Sequence, residues 1–148
     1  MPSQSEQRTP ALPVPWDYRS VSVSKQKLKW KKKPEPQDFE GAVNFLSLIY
    51  SQARAEKFVR AFRKAKTIER AAKDLLRASG LELLPRDEPH VDDDLKKIHA
   101  GKPLAPVLLI RGDNQRGITL TVADGYHRIC AICYYDESAP IPCKMVDD

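Results

Sequence analysis

The five consecutive residues Asp124-Gly125-Tyr126-His127-Arg128 put a carboxylate, a glycine, a phenol, an imidazole and a guanidinium at one point of the chain. They fall where one residue pattern gives way to another. Before them runs the β-branched, apolar stretch Gly117-Ile118-Thr119-Leu120-Thr121-Val122; after them Tyr126, Ile129, Cys130, Cys133 and Tyr134 recur at the three- and four-residue spacing of a helix face. Gly125 therefore marks a strand-to-helix turn, where a glycine permits positive φ and close approach to the backbone. The free N–H groups of a helix's first turn attract anions. Tyr126 and His127 would donate backbone N–H groups to a phosphate, His127 could touch it through its ring, and Arg128 offers a charged fork suited to the same group. Asp124 is the exception in this set. A carboxylate beside a phosphate repels it unless the carboxylate holds Mg²⁺ or takes a proton from an attacking hydroxyl. Asp124 has a plainer use too, as the cap of the helix that follows, and His127 and Arg128 could pair with Asp136 or Glu137.

The turn needs elements to hold it. Pro106-Val107-Leu108-Leu109-Ile110 and the Gly117–Val122 run, joined by Arg111–Arg116, predict a hairpin, and Ile141–Val146 predicts a final strand. Leu81-Glu82-Leu83-Leu84-Pro85 predicts a first strand. Val91–Ala100 predicts a helix whose Asp92, Asp93 and Asp94 sit near its positive N-terminal end. The resulting order is β, α, β, β, α, β.

Three helices are predicted upstream. Phe39, Val43, Leu46, Ile49 and Tyr50 share a face between Gln37 and Gln52, with Asp38 as N-cap; Ala55, Phe58, Val59 and Phe62 follow; a third is expected to start at Thr67 and stop at Gly80. Arg54, Lys57, Arg60, Arg63, Lys64 and Lys66 give the middle helix a basic surface. A helix pair of this kind is what a helix-turn-helix requires, although cationic amphipathic helices are more often ordinary surface elements.

The order Val-Leu-Leu-Ile, glycine, strand, Asp-Gly-Tyr-His-Arg, helix, Ile-Pro-Cys-Lys-Met-Val resembles the ParB N-terminal/sulfiredoxin-like superfamily over about the last half of the chain. Sulfiredoxins carry Gly-Gly-Cys-His-Arg at this turn, and ParB proteins carry Gly-x-x-Arg-x-x-Ala, matched by Gly125, Arg128 and Ala131. Free serine kinases of the superfamily have a similar Asp-Gly-His-x-Arg turn. The resemblance implies an α+β fold with a small mixed sheet and nucleotide chemistry using ATP or CTP with Mg²⁺. It also implies a part in phosphoryl transfer for Asp124. The chain departs from sulfiredoxins in the preceding helix, where they offer Lys and hydroxyl groups to the nucleotide: Asp92, Asp93 and Asp94 stand there and would oppose a triphosphate unless a divalent metal intervenes, which makes them metal candidates. Tyr126 stands where sulfiredoxins hold their reactive cysteine, which speaks against that activity. ParB proteins continue into a DNA-reading helix-turn-helix after this domain, and this chain ends two residues after its final predicted strand.

The rest of the composition sets bounds. A chain of 148 residues suits one core with appendages. No apolar run of membrane-spanning length and no leader pattern occur, so a cytoplasmic protein without membrane contact is expected. Cys130, Cys133 and Cys143 read as reduced thiols in core elements; the Cys-x-x-Cys pair has no second pair to complete a zinc site. The net charge of +5 gathers in the first two thirds, with six lysines between Lys25 and Lys33. Lys29, Lys31, Lys32 and Lys33 are accordingly candidates for contact with nucleic acid or an acidic protein, as well as for a solvated tail.

The expected organisation is a disordered basic arm over 1–36, a helical section over 37–80, and an α+β domain over 81–148. The expected function is binding of a nucleotide or phosphorylated small molecule at the central turn, with NTP hydrolysis or phosphoryl transfer as the enzymatic extension. The competing reading is a non-catalytic adaptor or nucleic-acid-binding protein that works through the arm and helices.

Overall fold

The computed structural model describes residues 27–148. It is an α+β fold in which helices cover both faces of a four-stranded mixed sheet. The elements are α1 (Pro36–Leu46), α2 (Gln52–Lys64), β1 (Thr67–Ala71), α3 (Ala72–Ser79), α4 (Pro89–His99), β2 (Val107–Ile110), β3 (Thr121–Asp124), α5 (Tyr126–Asp136) and β4 (Pro140–Val146). Across the sheet the strands run β1, β4, β2, β3. The outer pairs are antiparallel, and β2 lies parallel to β4.

Strand β2 explains the layering. All of Val107-Leu108-Leu109-Ile110 is buried, as a strand covered on both faces must be. Alternate side chains serve separate cores. Val107 and Leu109 pack with Ile129, Ile132, Ile141 and Cys143 beneath α3, α4 and α5. Leu108 and Ile110 pack with Phe39, Leu46, Phe58 and Phe62 of α1 and α2. The N-terminal helices are thus one whole face of the protein. Among the described residues, no helix is long and apolar enough to cross a membrane.

Four expectations change on contact with the structure. Thr67–Ala71 is a strand rather than the start of a third helix, pairing with β4 so that Ile68 faces Cys143; the helix begins only at Ala72. The section 37–80 is therefore not wholly helical, and the array of three helices behind the helix-turn-helix reading is interrupted. Leu81–Pro85 is not a strand. Side chains take the place of a ladder there: the Tyr126 hydroxyl donates to the Glu82 carbonyl at 2.6 Å and that of Tyr134 to Leu84 at 2.7 Å. Helix α1 ends at Leu46, short of Gln52, leaving Leu48 and Ile49 exposed. Ser47 Oγ bonds back to Asn44, and Ser51 Oγ then accepts the Arg54 N–H to start α2.

The basic arm also differs from expectation where it is described. Lys29 and Lys31 exchange backbone hydrogen bonds with Leu104 at 3.0 and 2.8 Å, and Trp30 packs against the α3–α5 core. Partial burial of Trp30 and these backbone bonds hold the segment on the domain. The aromatic segment Val14–Tyr18, Lys25 and the rest of 1–26 lie outside the described residues.

Candidate functional site

The central turn forms as expected, with Gly125 at φ +111° as N-cap of α5. Having no side chain, Gly125 leaves that helix without the side-chain cap that Ser51 gives α2 and Glu88 gives α4. The glycine is required by packing as well. A Cβ at this position would stand 2.5 Å from Val107 Cγ1 and 3.0 Å from an Arg128 terminal nitrogen, both inside van der Waals contact.

Asp124 owes its direction to an irregularity in the β2–β3 pairing. Leu108 pairs with Asp124 and Leu109 with Val122, so Ala123 is an extra residue in β3. Such a bulge breaks strict alternation. Ala123 and Asp124 consequently both approach α1: Ala123 is part of the α1–α2 core, and Asp124 Oδ1 lies 3.3 Å from the Cβ position of Gly41.

There Asp124 meets Arg128, which is largely committed inside the protein. Its guanidinium donates to Asp124 Oδ2 at 2.9 Å, to the Pro106 carbonyl at 3.2 Å and, more weakly, to Asp38 Oδ1 at 3.4 Å. Its Nε is buried with no hydrogen-bond partner. Asp38 is the residue that sequence reasoning missed. Expected as the N-cap of α1, it is instead at the third helical position behind N-cap Glu35. One carboxylate oxygen accepts the Glu35 N–H at 2.7 Å while the other faces Arg128. The expected pairings of His127 and Arg128 with Asp136 or Glu137 do not occur among the described contacts; Arg128 takes Asp124 and Asp38, and His127 lies 3.6 Å from Glu88.

Burial pushes the Asp124 carboxyl up to about 6, with Arg128 opposing and Asp38 adding to the rise. Against an ordinary value of 3.8, the folded protein keeps a proton that the unfolded chain releases. The associated stability is full below about pH 4 and is lost as pH rises through about 6, on the order of 3 kcal/mol. In urea unfolding across this range, the stability difference between the native protein and Asp124→Asn should fall with rising pH. A difference that stays level would contradict the assignment.

A polar cavity of about 230 Å³ opens between α4 and the turn, lined by His90, Asp93, Asp94, Lys97, Asp124, Gly125, His127 and Arg128. No family model matches the chain, nor does any curated protein or solved structure. The site must therefore be read from its own geometry. A larger groove of about 720 Å³ lies elsewhere, between α3 and the β2–β3 connection. It is lined largely by Leu75, Ile118, Leu120, Met145 and several arginines, and none of the residues of the central turn reaches it.

The remaining candidates separate. Tyr126 contributes its backbone to the turn, but its hydroxyl is held at Glu82. Asp92 pairs with Lys96 at 3.0 Å and does not line the cavity, whereas Asp93 and Asp94 do. Asp94 is buried, which raises its pKa, with Lys97 at 3.8 Å as its nearest counter-charge. Asp124, Asp92, Asp93 and Asp94 do not converge as a ligand set; among the described residues, the group that does is Glu88, His90 and His127.

Lys31 is paired with Glu35 at 2.5 Å, while Lys29, Lys32 and Lys33 are exposed. On α2, Arg54 is paired with Asp148 and stacks over Tyr50, and Arg63 stacks over Phe39 at 4.2 Å, so part of that helix's charge is spent within the protein. Cys130 and Cys143 are buried, and burial raises the thiols of Cys133 to about 11 and Cys143 to about 12. Thiols so held are poor nucleophiles at neutral pH.

Proposed function

We propose that the cavity between α4 and α5 binds the phosphate end of a nucleotide or phosphorylated small molecule. The observation that carries this reading is the uncapped first turn of α5 opening on a polar cavity that Lys97, His90 and His127 also line. Backbone N–H groups at a helix start hold phosphate without any side-chain charge. The unpartnered Nε of Arg128 adds to the case, since a buried donor left unmet costs about 1–3 kcal/mol. A volume near 230 Å³ suits a phosphoryl group and its immediate neighbours, with the rest of the ligand outside.

In this reading the recognition elements differ in kind. The amides of Tyr126, His127 and Arg128 take the anion, Lys97 and His127 supply side-chain donors, and Arg128 fixes the turn through Asp124 and Asp38. Asp124 is the group suited to accept a proton in hydrolysis or phosphoryl transfer, because its raised pKa brings it toward neutrality.

Thermal denaturation with ATP, ADP, CTP, GTP and inorganic phosphate tests the reading. At a hundredfold excess over Kd, a ligand that binds the folded state raises the midpoint by about 5 °C or more. The rise should shrink in Lys97→Ala. No rise with any of the five would remove the reading and leave the adaptor alternative, in which the exposed Lys29, Lys32 and Lys33 make the contacts.

A further inference from the structure

We infer that Glu88, His90 and His127 form a binding site for a divalent first-row transition metal, with Zn²⁺ the ion their chemistry fits best. The three donors come from two elements: Glu88 and His90 from the start of α4, His127 from the first turn of α5. One donor atom from each lies within 4.8 Å of the other two.

Glu88 shows how the group is organised. Its Oε1 accepts the N–H groups of His90 and Val91 at 2.7 and 2.8 Å, which fixes the carboxylate as the cap of α4. The other oxygen, Oε2, is left facing both imidazoles, 3.2 Å from His90 Nδ1 and 3.6 Å from His127 Nε2. Donors about 2.0–2.2 Å from a tetrahedral ion are separated from one another by about 3.4 Å. The two measured distances bracket that edge. The imidazole rings are 4.7 Å apart between centroids, and His90 is exposed, so its ring can turn to complete the third edge.

Two imidazoles and one carboxylate select the ion. Nitrogen donors suit Zn²⁺ and its neighbours, whereas Mg²⁺ and Ca²⁺ call for oxygen. Three protein ligands leave a fourth position open, the pattern of catalytic rather than structural zinc. Because His90 and His127 also line the cavity at the α5 turn, an ion held here adds positive charge to a wall otherwise burdened by Asp93, Asp94 and Asp124. The metal site does not depend on the phosphate reading, and the metal alone is its probe.

The test is titration of the full-length protein with Co²⁺, followed by visible absorption, and with Zn²⁺ by calorimetry. One equivalent should bind with d–d bands and no thiolate-to-cobalt charge-transfer band. His127→Ala and His90→Ala should each weaken binding by about tenfold or more. Glu88→Gln keeps an oxygen to cap α4 and should weaken binding similarly, which separates ligation from loss of the cap. The absence of saturable binding, an affinity unchanged in His127→Ala, or a charge-transfer band assigning the ion to a cysteine would each overturn the site. Residues 1–26 contain neither His nor Cys, so His99 and the three cysteines are the other imidazole and thiol donors in the chain.

Discussion

Replacing Arg128 by alanine should cost on the order of 3–5 kcal/mol of folding stability, the loss expected when one member of a buried ionic cluster is removed. The Arg128, Asp38 and Asp124 side chains are 15%, 9% and 21% exposed. Without the guanidinium, two carboxylates are left close together with no counter-charge, and the Pro106 carbonyl loses a donor. The same cluster joins the beginnings of α1 and α5 across the end of the sheet, so its loss loosens the α1–α2 layer as well as the turn. Equilibrium urea unfolding measures the effect. The triple variant Arg128→Met, Asp38→Asn, Asp124→Asn should recover most of the loss, because it removes the uncompensated charges with the arginine. If Arg128→Ala unfolds with near-native stability, Arg128 is not the tie described here. Ligand binding by that variant is consequently a poor test of phosphate recognition, and Lys97 is the better place to probe it.

Gly125→Ala carries the second large effect. A β-carbon must sit at φ +111°, outside the range L-residues ordinarily occupy, and 2.5 Å from Val107 Cγ1. Backbone strain of about 1–3 kcal/mol and overpacking of about 1–3 kcal/mol together predict a loss of about 4 kcal/mol. Val107→Ala in the same chain removes the 2.5 Å contact but keeps Val107 Cβ at 2.9 Å, so it should relieve part of the steric cost and leave the strain. A double-mutant cycle on the two positions should therefore show coupling of about 1 kcal/mol or more. Strict additivity would mean that the turn has moved away from β2 in the variant and that the observed contact is not limiting.

The parts of the fold that were legible in the sequence are those whose signal is local. The β2–β3 hairpin shows in two apolar runs around a polar connection, although only Thr121 and Val122 of the expected Gly117–Val122 strand lie in β3, which reaches on to Asp124; α5 shows in the spacing from Tyr126 to Tyr134. Thr67–Ala71, expected to begin a helix, is a strand, and Leu81–Pro85, expected to be a strand, is irregular, for one physical reason: long-range partners decide both. Ile68, Ala71, Ala72 and Leu75 have helical spacing, yet Thr67–Ala71 is extended because β4, far along the chain, offers it a ladder. Leu81–Pro85 has an apolar strand-like composition, but its carbonyls at Glu82 and Leu84 are taken by tyrosine hydroxyls of α5.

The site was legible to a similar depth. The turn's backbone and Gly125 follow from the change of period at Val122–Tyr126. That Asp38 would reach Arg128 has no local mark, since an Asp near a helix start reads as a cap, and it does serve α1 in that way. The pairing of His90 with His127 depends on how α4 packs against α5, which spacing along either helix does not reveal. A run of three aspartates attracted attention as a metal candidate, but on a helix successive side chains point in different directions, and Asp92 faces Lys96 while Asp94 turns inward.

The central claim is that a phosphate group settles on the first turn of α5. It is tested most directly by following backbone amide resonances in a nitrogen-15 labelled protein as inorganic phosphate, then ATP, is added. Saturable shifts concentrated at Tyr126, His127 and Arg128, with Lys97→Ala weakening the response, are the predicted result. Amides at those three positions that stay unmoved at ligand concentrations well above the millimolar range would contradict it.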